Sequence, residues 1–210
     1  MYLPSHFEQP DAAALAAMVQ QHPLASVVWT SPAGLTAEHL PLLWDRGDAD
    51  GALGTLRGHV ARANPVWRDA ALGEVLVVFH GPQAYVTPSW YASKTATAKV
   101  VPTWNYAVVH LHGRLRVIDD ASWLRTLVGR LTDTHEAARP ERWQVDDAPA
   151  DYVAQMLRAI VGIEIEVTRM QGKWKASQNR TADDRAGVAA GLDAQHADAA
   201  RAMAALVRGG

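Results

Sequence analysis

Apolar and polar positions along this chain follow two rhythms. Short apolar runs punctuated by turn residues fill most of the first 118 positions, and helical stripes follow. "DAAALAAMVQQ" (11 to 21) places Leu15, Met18 and Val19 at helical spacing, which predicts a first helix capped by Asp11. "LASVVWT" ends at the turn signal "SPAG" and reads as a strand with "LTAEHLPLLW" as its hairpin partner. "LGTLRGHVA" and "EVLVVFHG" read as a second pair. "AYVTP" and the long segment Thr103 to Ile118 read as a third.

Two helices then interrupt the strands. Leu124, Leu127, Val128 and Leu131 give one stripe. Val153, Met156, Leu157 and Ile160 give the other, with Pro149 suited to its first position. "GIEIEVTRMQGKWKASQ" returns to strand, alternating Ile163, Ile165 and Val167 with Glu164, Glu166 and Thr168. The tail from Thr181 is Ala-rich and helical, interrupted by Gly187 and Gly191. About seven strands linked mainly by hairpins predict an antiparallel barrel or sandwich with added helices, an α+β fold that is mainly β. The absence of GxGxxG and of regular strand–helix alternation argues against a Rossmann domain.

Composition narrows the function classes. The chain has 210 residues, 49% apolar and 20% charged, with a formal net charge of -2. That balance gives no overall attraction to nucleic acid or anionic membrane. With no cysteine, disulfides, thiolate zinc sites and thiol catalysis are excluded. "MYLPSHFEQPD" lacks the basic and apolar regions of a secretory signal, and no apolar run is long enough to span a bilayer. A soluble cytoplasmic protein is the expectation.

Candidate chemistry gathers in a few stretches. In "RGHVARANPVW", Arg62 and Asn64 follow a strand end, where a guanidinium fork suits a phosphate; the alternative is a surface Arg and an Asn that caps a short helix. "KWKASQNR" packs Lys173, Lys175 and Arg180 with Ser177, Gln178 and Asn179, a basic cluster suited to an anionic ligand or to a solvated strand end. His110 and His112 share one strand face, but no acidic ligand is spaced with them and no metal is expected. No GxSxG elbow and no basic reader helix is present, so hydrolysis and direct DNA binding lack support. "TPSWYASKTATAKVVPTWNY" frames a small, polar loop with Trp90, Tyr91, Trp104 and Tyr106, as pocket walls or as corner packing.

Taken in order, "MYLPSHF", "HLPLL", "GHVARANPVW", "GPQAYVTPSWY", "VPTWNYAVVHLHG" and "KASQNR" resemble the PaiB family of FMN-binding negative transcriptional regulators, over residues 1 to about 185. The resemblance implies a six-stranded antiparallel FMN-binding split barrel, related to pyridoxamine phosphate oxidase, with flanking helices. It implies a split-barrel domain over 1–180 with a helical extension over 181–210, and a homodimer with FMN in the groove between subunits. Under it, Arg62, Asn64, Lys175 and Gln178 would meet the phosphate and Trp90 and Tyr91 would wall the flavin. Ser89 would touch its edge, and His39 and Leu40 would lie along it. Glu38 would set a carboxylate near the cofactor. A repressor role follows from the resemblance, with DNA as an implied partner that the charge pattern does not support. An FMN-dependent oxidoreductase is the alternative. A haem-handling split barrel is more distant, with His110 or His112 as axial ligand. No residue stands out as a catalytic acid or base, so the cofactor would carry any chemistry.

Overall fold

The computed structural model describes residues 1–47, 53–70 and 73–209. One seven-stranded sheet, mainly antiparallel, runs in the order β2-β1-β5-β6-β7-β4-β3. Its strands are β1 (Leu24–Ser31), β2 (Gly34–Pro41), β3 (Leu43–Asp45), β4 (Thr55–Ala61), β5 (Glu74–Val86), β6 (Thr103–Ile118) and β7 (Ile160–Lys175). Among the described residues the helices are α1 (Ala12–Gln21), α2 (Val66–Asp69), α3 (Ser93–Thr97), α4 (Ala121–Glu136), α5 (Ala150–Arg158), α6 (Ala182–Asp193) and α7 (Asp198–Gly209). The α+β expectation holds, but the sheet has seven strands, not six. The added strand arises at Pro41, which has no N–H to continue a ladder. Beyond it the chain starts again as β3, whose Leu43, Trp44 and Asp45 pair with Arg57, Leu56 and Thr55 of β4.

The β1/β2 hairpin forms as expected, from Leu24 opposite Pro41 to Ser31 opposite Gly34. The second expected pair does not form. β4 lies between β7 and β3, and its Thr55–Ala61 face Glu166 through Ile160 of β7. Apolar runs mark both strands but carry no record of the partner, and β4 joins a strand about a hundred residues away. The expected strands at 74–81 and 84–88 are instead one strand, β5. Its buried positions pass from odd (Val75, Val77, Phe79) to even (Ala84, Val86) around Gly81 and Pro82.

The chain forms two compact units: Met1–His22, Phe79–His110 and Gln171–Gly210 in the first, Pro23–Val78 and Leu111–Met170 in the second. In the first, Asp11 caps α1 by accepting from Ala13 N at 2.9 Å. Leu15 of α1 fills the space that a Cβ on Gly172 would need. Val188, Ala189 and Leu192 of α6 pack with Ala200, Met203, Ala204 and Val207 of α7, Val86 and Tyr91. In the second unit, Asp120 caps α4 through Trp123 N at 2.7 Å, and Leu124, Leu127 and Leu131 are buried. α5 buries none of its stripe: it ends at Arg158, Ile160 has already entered β7, and Pro149 is the cap residue rather than the first helical one.

Glu164 departs from the expected alternation. It is 4% exposed although it points to the face opposite Ile163 and Ile165. Arg57 donates to one of its oxygens at 2.7 Å and Arg116 to the other. These two guanidinium groups cover the carboxylate and hold it below the usual range despite its burial, which acts the other way.

Candidate cofactor site

The expected site residues fall in both units. In the second, β2 carries His39 and Leu40. Leu40 is buried, whereas the His39 ring meets Ser26 Oγ across the hairpin at 3.1 Å. Glu38 links two expected residues: it accepts from the backbone N–H of His39 at 3.0 Å and from Asn64 Nδ2 at 2.7 Å. Those donors hold the Glu38 carboxyl below its ordinary value. Asn64 also accepts from Val66 N at 3.0 Å, which fixes the turn into α2.

Arg62 spends its guanidinium within the protein. Nη1 and Nη2 donate to the Asp119 carboxylate at 2.8 and 2.7 Å, Nη2 also reaches Ile160 O at 3.0 Å, and Nε donates to Arg158 O at 2.9 Å. This fork ties the end of β4 to the C-terminus of α5 and the start of β7.

In the first unit, Ser89 is exposed and accepts from Lys94 Nζ at 3.3 Å. Trp90 lies against α6: a Cβ on Gly191 would stand 2.3 Å from its indole, and one on Gly187 would stand 2.0 Å from its carbonyl oxygen. Gly187 and Gly191 therefore form a notch in an unbroken helix rather than interruptions of it. Tyr91 is 3% exposed, its ring under the Arg180 guanidinium at 4.7 Å and its hydroxyl without a hydrogen-bond partner among the described residues. The small-residue segment after it folds as α3. There Asp184 accepts from Ser93 N and Ser93 Oγ, both at 2.8 Å.

The basic stretch at the end of β7 stays together. Gln178 is spent on its own turn, accepting from Ala176 N at 2.7 Å and donating to Trp174 O at 2.6 Å. Lys175 donates to Thr103 Oγ1 and, at 2.9 Å, to Trp104 O. Lys173, 7% exposed, lies 5.7 Å from the Tyr2 ring centre and 5.4 Å from that of Tyr106, and donates to Tyr2 O at 3.0 Å. Among the described residues no carboxylate forms an ion pair with Lys173, Lys175 or Arg180. Burial, with Lys173 and Arg180 nearby, holds Lys175 below the ordinary lysine value. Half-buried cations without a close ion pair suit an anion, although Arg180 already acts on the Asp184 carboxylate, and a flavin phosphate meets that requirement.

Aromatic surface lies beside these cations. Trp104 is 54% exposed and meets Tyr85 edge to face at 6.1 Å. Strand alternation carries the signal: Asn105, Ala107 and Val109 are buried, so Trp104, Tyr106 and Val108 take the other face. The basic cluster at the end of β7 fits the phosphate of FMN in kind. Among the described residues no His, Asp and Glu cluster fit to hold a metal ion occurs, and no helix is long and apolar enough to cross a membrane.

The comparisons agree with this chemistry. A family profile described as "Putative FMN-binding domain" matches residues 1–169. The chain is 33% identical to the protease synthase and sporulation protein PAI 2 of Bacillus subtilis, over 99% of this chain and 96% of that one. It is 34% identical to an uncharacterized protein of Emericella nidulans, at the same coverage of each. In fold it is similar to the FAD and heme binding protein from Mycobacterium smegmatis (TM-score 0.58, 19% identity, 88% of this chain and 80% of that one). It is also similar to the flavocytochrome Anf3 from Azotobacter vinelandii (TM-score 0.58, 15% identity, 86% and 75%). Fold and family match together define a flavin-binding protein of split-barrel fold. The chain belongs to the PaiB family of FMN-binding domains, and FMN is its cofactor.

Proposed function

We propose that this protein is a PaiB-type regulator that holds FMN in a groove between two copies of itself in the cytoplasm. The observation that carries the reading is the basic cluster at the end of β7, where among the described residues Lys173 and Lys175 form no ion pair with a carboxylate and Arg180 acts on Asp184 without a close ion pair. Lys175 and Arg180 bind the phosphate, while Gln178 keeps their turn in shape. In the second unit Arg62 and Asn64 fix the β4 end, and Arg62 is free for a phosphate only by leaving Asp119. His39, Leu40 and Ser89 lie along the flavin edge. Trp90 and Tyr91 back the basic turn, with Tyr91 beneath Arg180. Bound FMN supplies electron or hydride exchange; the chain's own residues bind and orient it.

Equilibrium dialysis with FMN tests the assignment. Lys175→Gln and Arg180→Gln are each expected to weaken binding by about 1.5–3 kcal/mol, the worth of a charge-assisted hydrogen bond. Unchanged affinity in both variants refutes the phosphate assignment. Light scattering of the loaded protein reports the dimer, and a monomer refutes the shared groove. An FMN-dependent oxidoreductase is the second reading, and the open aromatic surface around Trp104 favours it, because a redox enzyme needs room for a substrate. Titration of promoter DNA separates the two. A direct regulator binds with a steep dependence on salt, and an oxidoreductase does not.

A further inference from the structure

A shallow groove of about 220 Å³ lies wholly in the first unit, lined by His80, Gly81 and Gln83 of β5 and Trp104, Tyr106 and Val108 of β6. It contains none of the residues expected to hold FMN. Its floor is unusual for a strand surface, because Trp104 is more than half exposed yet held edge to face by Tyr85. Aromatic faces left open to water stack flat rings.

The polar groups around the groove narrow the ligand further. Gln83 is exposed and its side chain makes no hydrogen bond among the described residues, so its amide can both donate to and accept from a ring edge. The adjoining ammonium groups are Lys175, held by the Trp104 carbonyl, and Lys173, over the Tyr106 ring. Among the described residues no carboxylate lines the groove. The local field therefore opposes a cationic ring and tolerates a neutral or anionic one. The volume is below the roughly 300 Å³ at which sites for drug-sized ligands begin, which leaves room for one or two rings.

We propose that the groove over Trp104 and Tyr106 binds a small planar heteroaromatic molecule without positive charge. That molecule is the substrate or effector of the flavin site. The inference rests on the flavoprotein reading only for its role; the binding itself is measured separately.

Calorimetry on FMN-loaded protein, with three probes of one shape and different charge, tests it. Nicotinamide and nicotinate are expected to bind saturably, and the N1-methylnicotinamide cation about tenfold or more weaker. Trp104→Ala is expected to weaken the first two at least about tenfold through lost stacking, and Trp104→Phe to keep most of the affinity. Circular dichroism confirms that the variants fold. Equal binding of the cation, undiminished binding by Trp104→Ala, or no saturable binding of any probe overturns the proposal. FMN affinity of Trp104→Ala is measured in parallel and is expected to match the parent protein. Loss of FMN binding there makes the groove part of the flavin's own site, which overturns this inference and leaves the flavoprotein reading standing. Failure of the parent protein to take up FMN refutes the flavoprotein reading instead, and the probes are then titrated into the free protein.

Discussion

The notch in α6 makes a sharp prediction about sign. Gly→Ala in a helix interior ordinarily stabilises by about 0.8–1 kcal/mol, because glycine gives up more backbone entropy on folding. Gly129 in α4 is such a case, since a Cβ there meets nothing within 4 Å. Gly129→Ala is expected to raise stability by roughly that amount. At Gly187 the new Cβ would stand 2.0 Å from the Trp90 carbonyl oxygen, well inside any real contact. The clash is with backbone, so no rotamer relieves it. Either α6 or the turn at Pro88–Trp90 must shift by about 1 Å or more. Overpacking of this kind costs about 1–3 kcal/mol, occasionally more. A 2.0 Å approach to backbone belongs in the upper part of that range, so after the helix gain the net effect of Gly187→Ala is a loss of about 1–2 kcal/mol.

Urea unfolding followed by far-ultraviolet circular dichroism measures both variants on one scale. The midpoint is expected to rise for Gly129→Ala and fall for Gly187→Ala, with unchanged slopes. A Gly187→Ala protein as stable as the parent would refute the packing of Trp90 on α6, and with it the account of why the tail carries these glycines. The same displacement moves Tyr91 and the Arg180 guanidinium above it. FMN affinity should therefore fall in Gly187→Ala and stay constant in Gly129→Ala.

Other expectations follow from the buried charges. Glu164→Ala removes one of the two carboxylates that Arg57 holds, leaving it Asp45, and leaves Arg116, largely in solvent, without its partner; the expected cost is about 1–3 kcal/mol, read from denaturant midpoints. Acid should destabilise the fold in two stages. Burial lowers His59, so the unfolded chain takes up its proton first and stability begins to fall as pH drops below about 6.5. Glu38, Asp45, Glu164 and Asp184 are held below their ordinary values, so the stability they contribute is present above pH ~4 and is lost as pH falls through their folded range. Melting temperature against pH tests both stages, and the step below pH ~6.5 should shrink in His59→Gln. Asp184→Asn should loosen α3 by weakening the bonds to Ser93, seen as faster amide exchange at Ser93.

Much of this was legible in the chain. Asp11 and Asp120 cap the helices they precede, and the period-two run after Ile160 forms the strand it predicts, because caps and periodicity act locally. Partner choice was not legible. The pairing of β4 with β7 depends on a ladder closed across about a hundred residues, and no local pattern records it. The cofactor was legible only because several segments, each unspecific alone, recur in one order.

The candidate site divides along the same line. Residue type at a strand end marks Arg62 and Lys175 equally as phosphate donors, since both offer a cation near backbone amides. What separates them is the supply of acceptors nearby. Asp119, Arg158 O and Ile160 O converge on Arg62 and meet its directed fork, whereas Lys175 finds a hydroxyl and one carbonyl and lies in the field of two further cations. An anion entering the protein gains most where positive charge is least compensated, and Lys175 at the end of β7 meets that condition, since the Asp184 carboxylate acts on Arg180. Sequence shows where cations are; only the fold shows which of them are already answered.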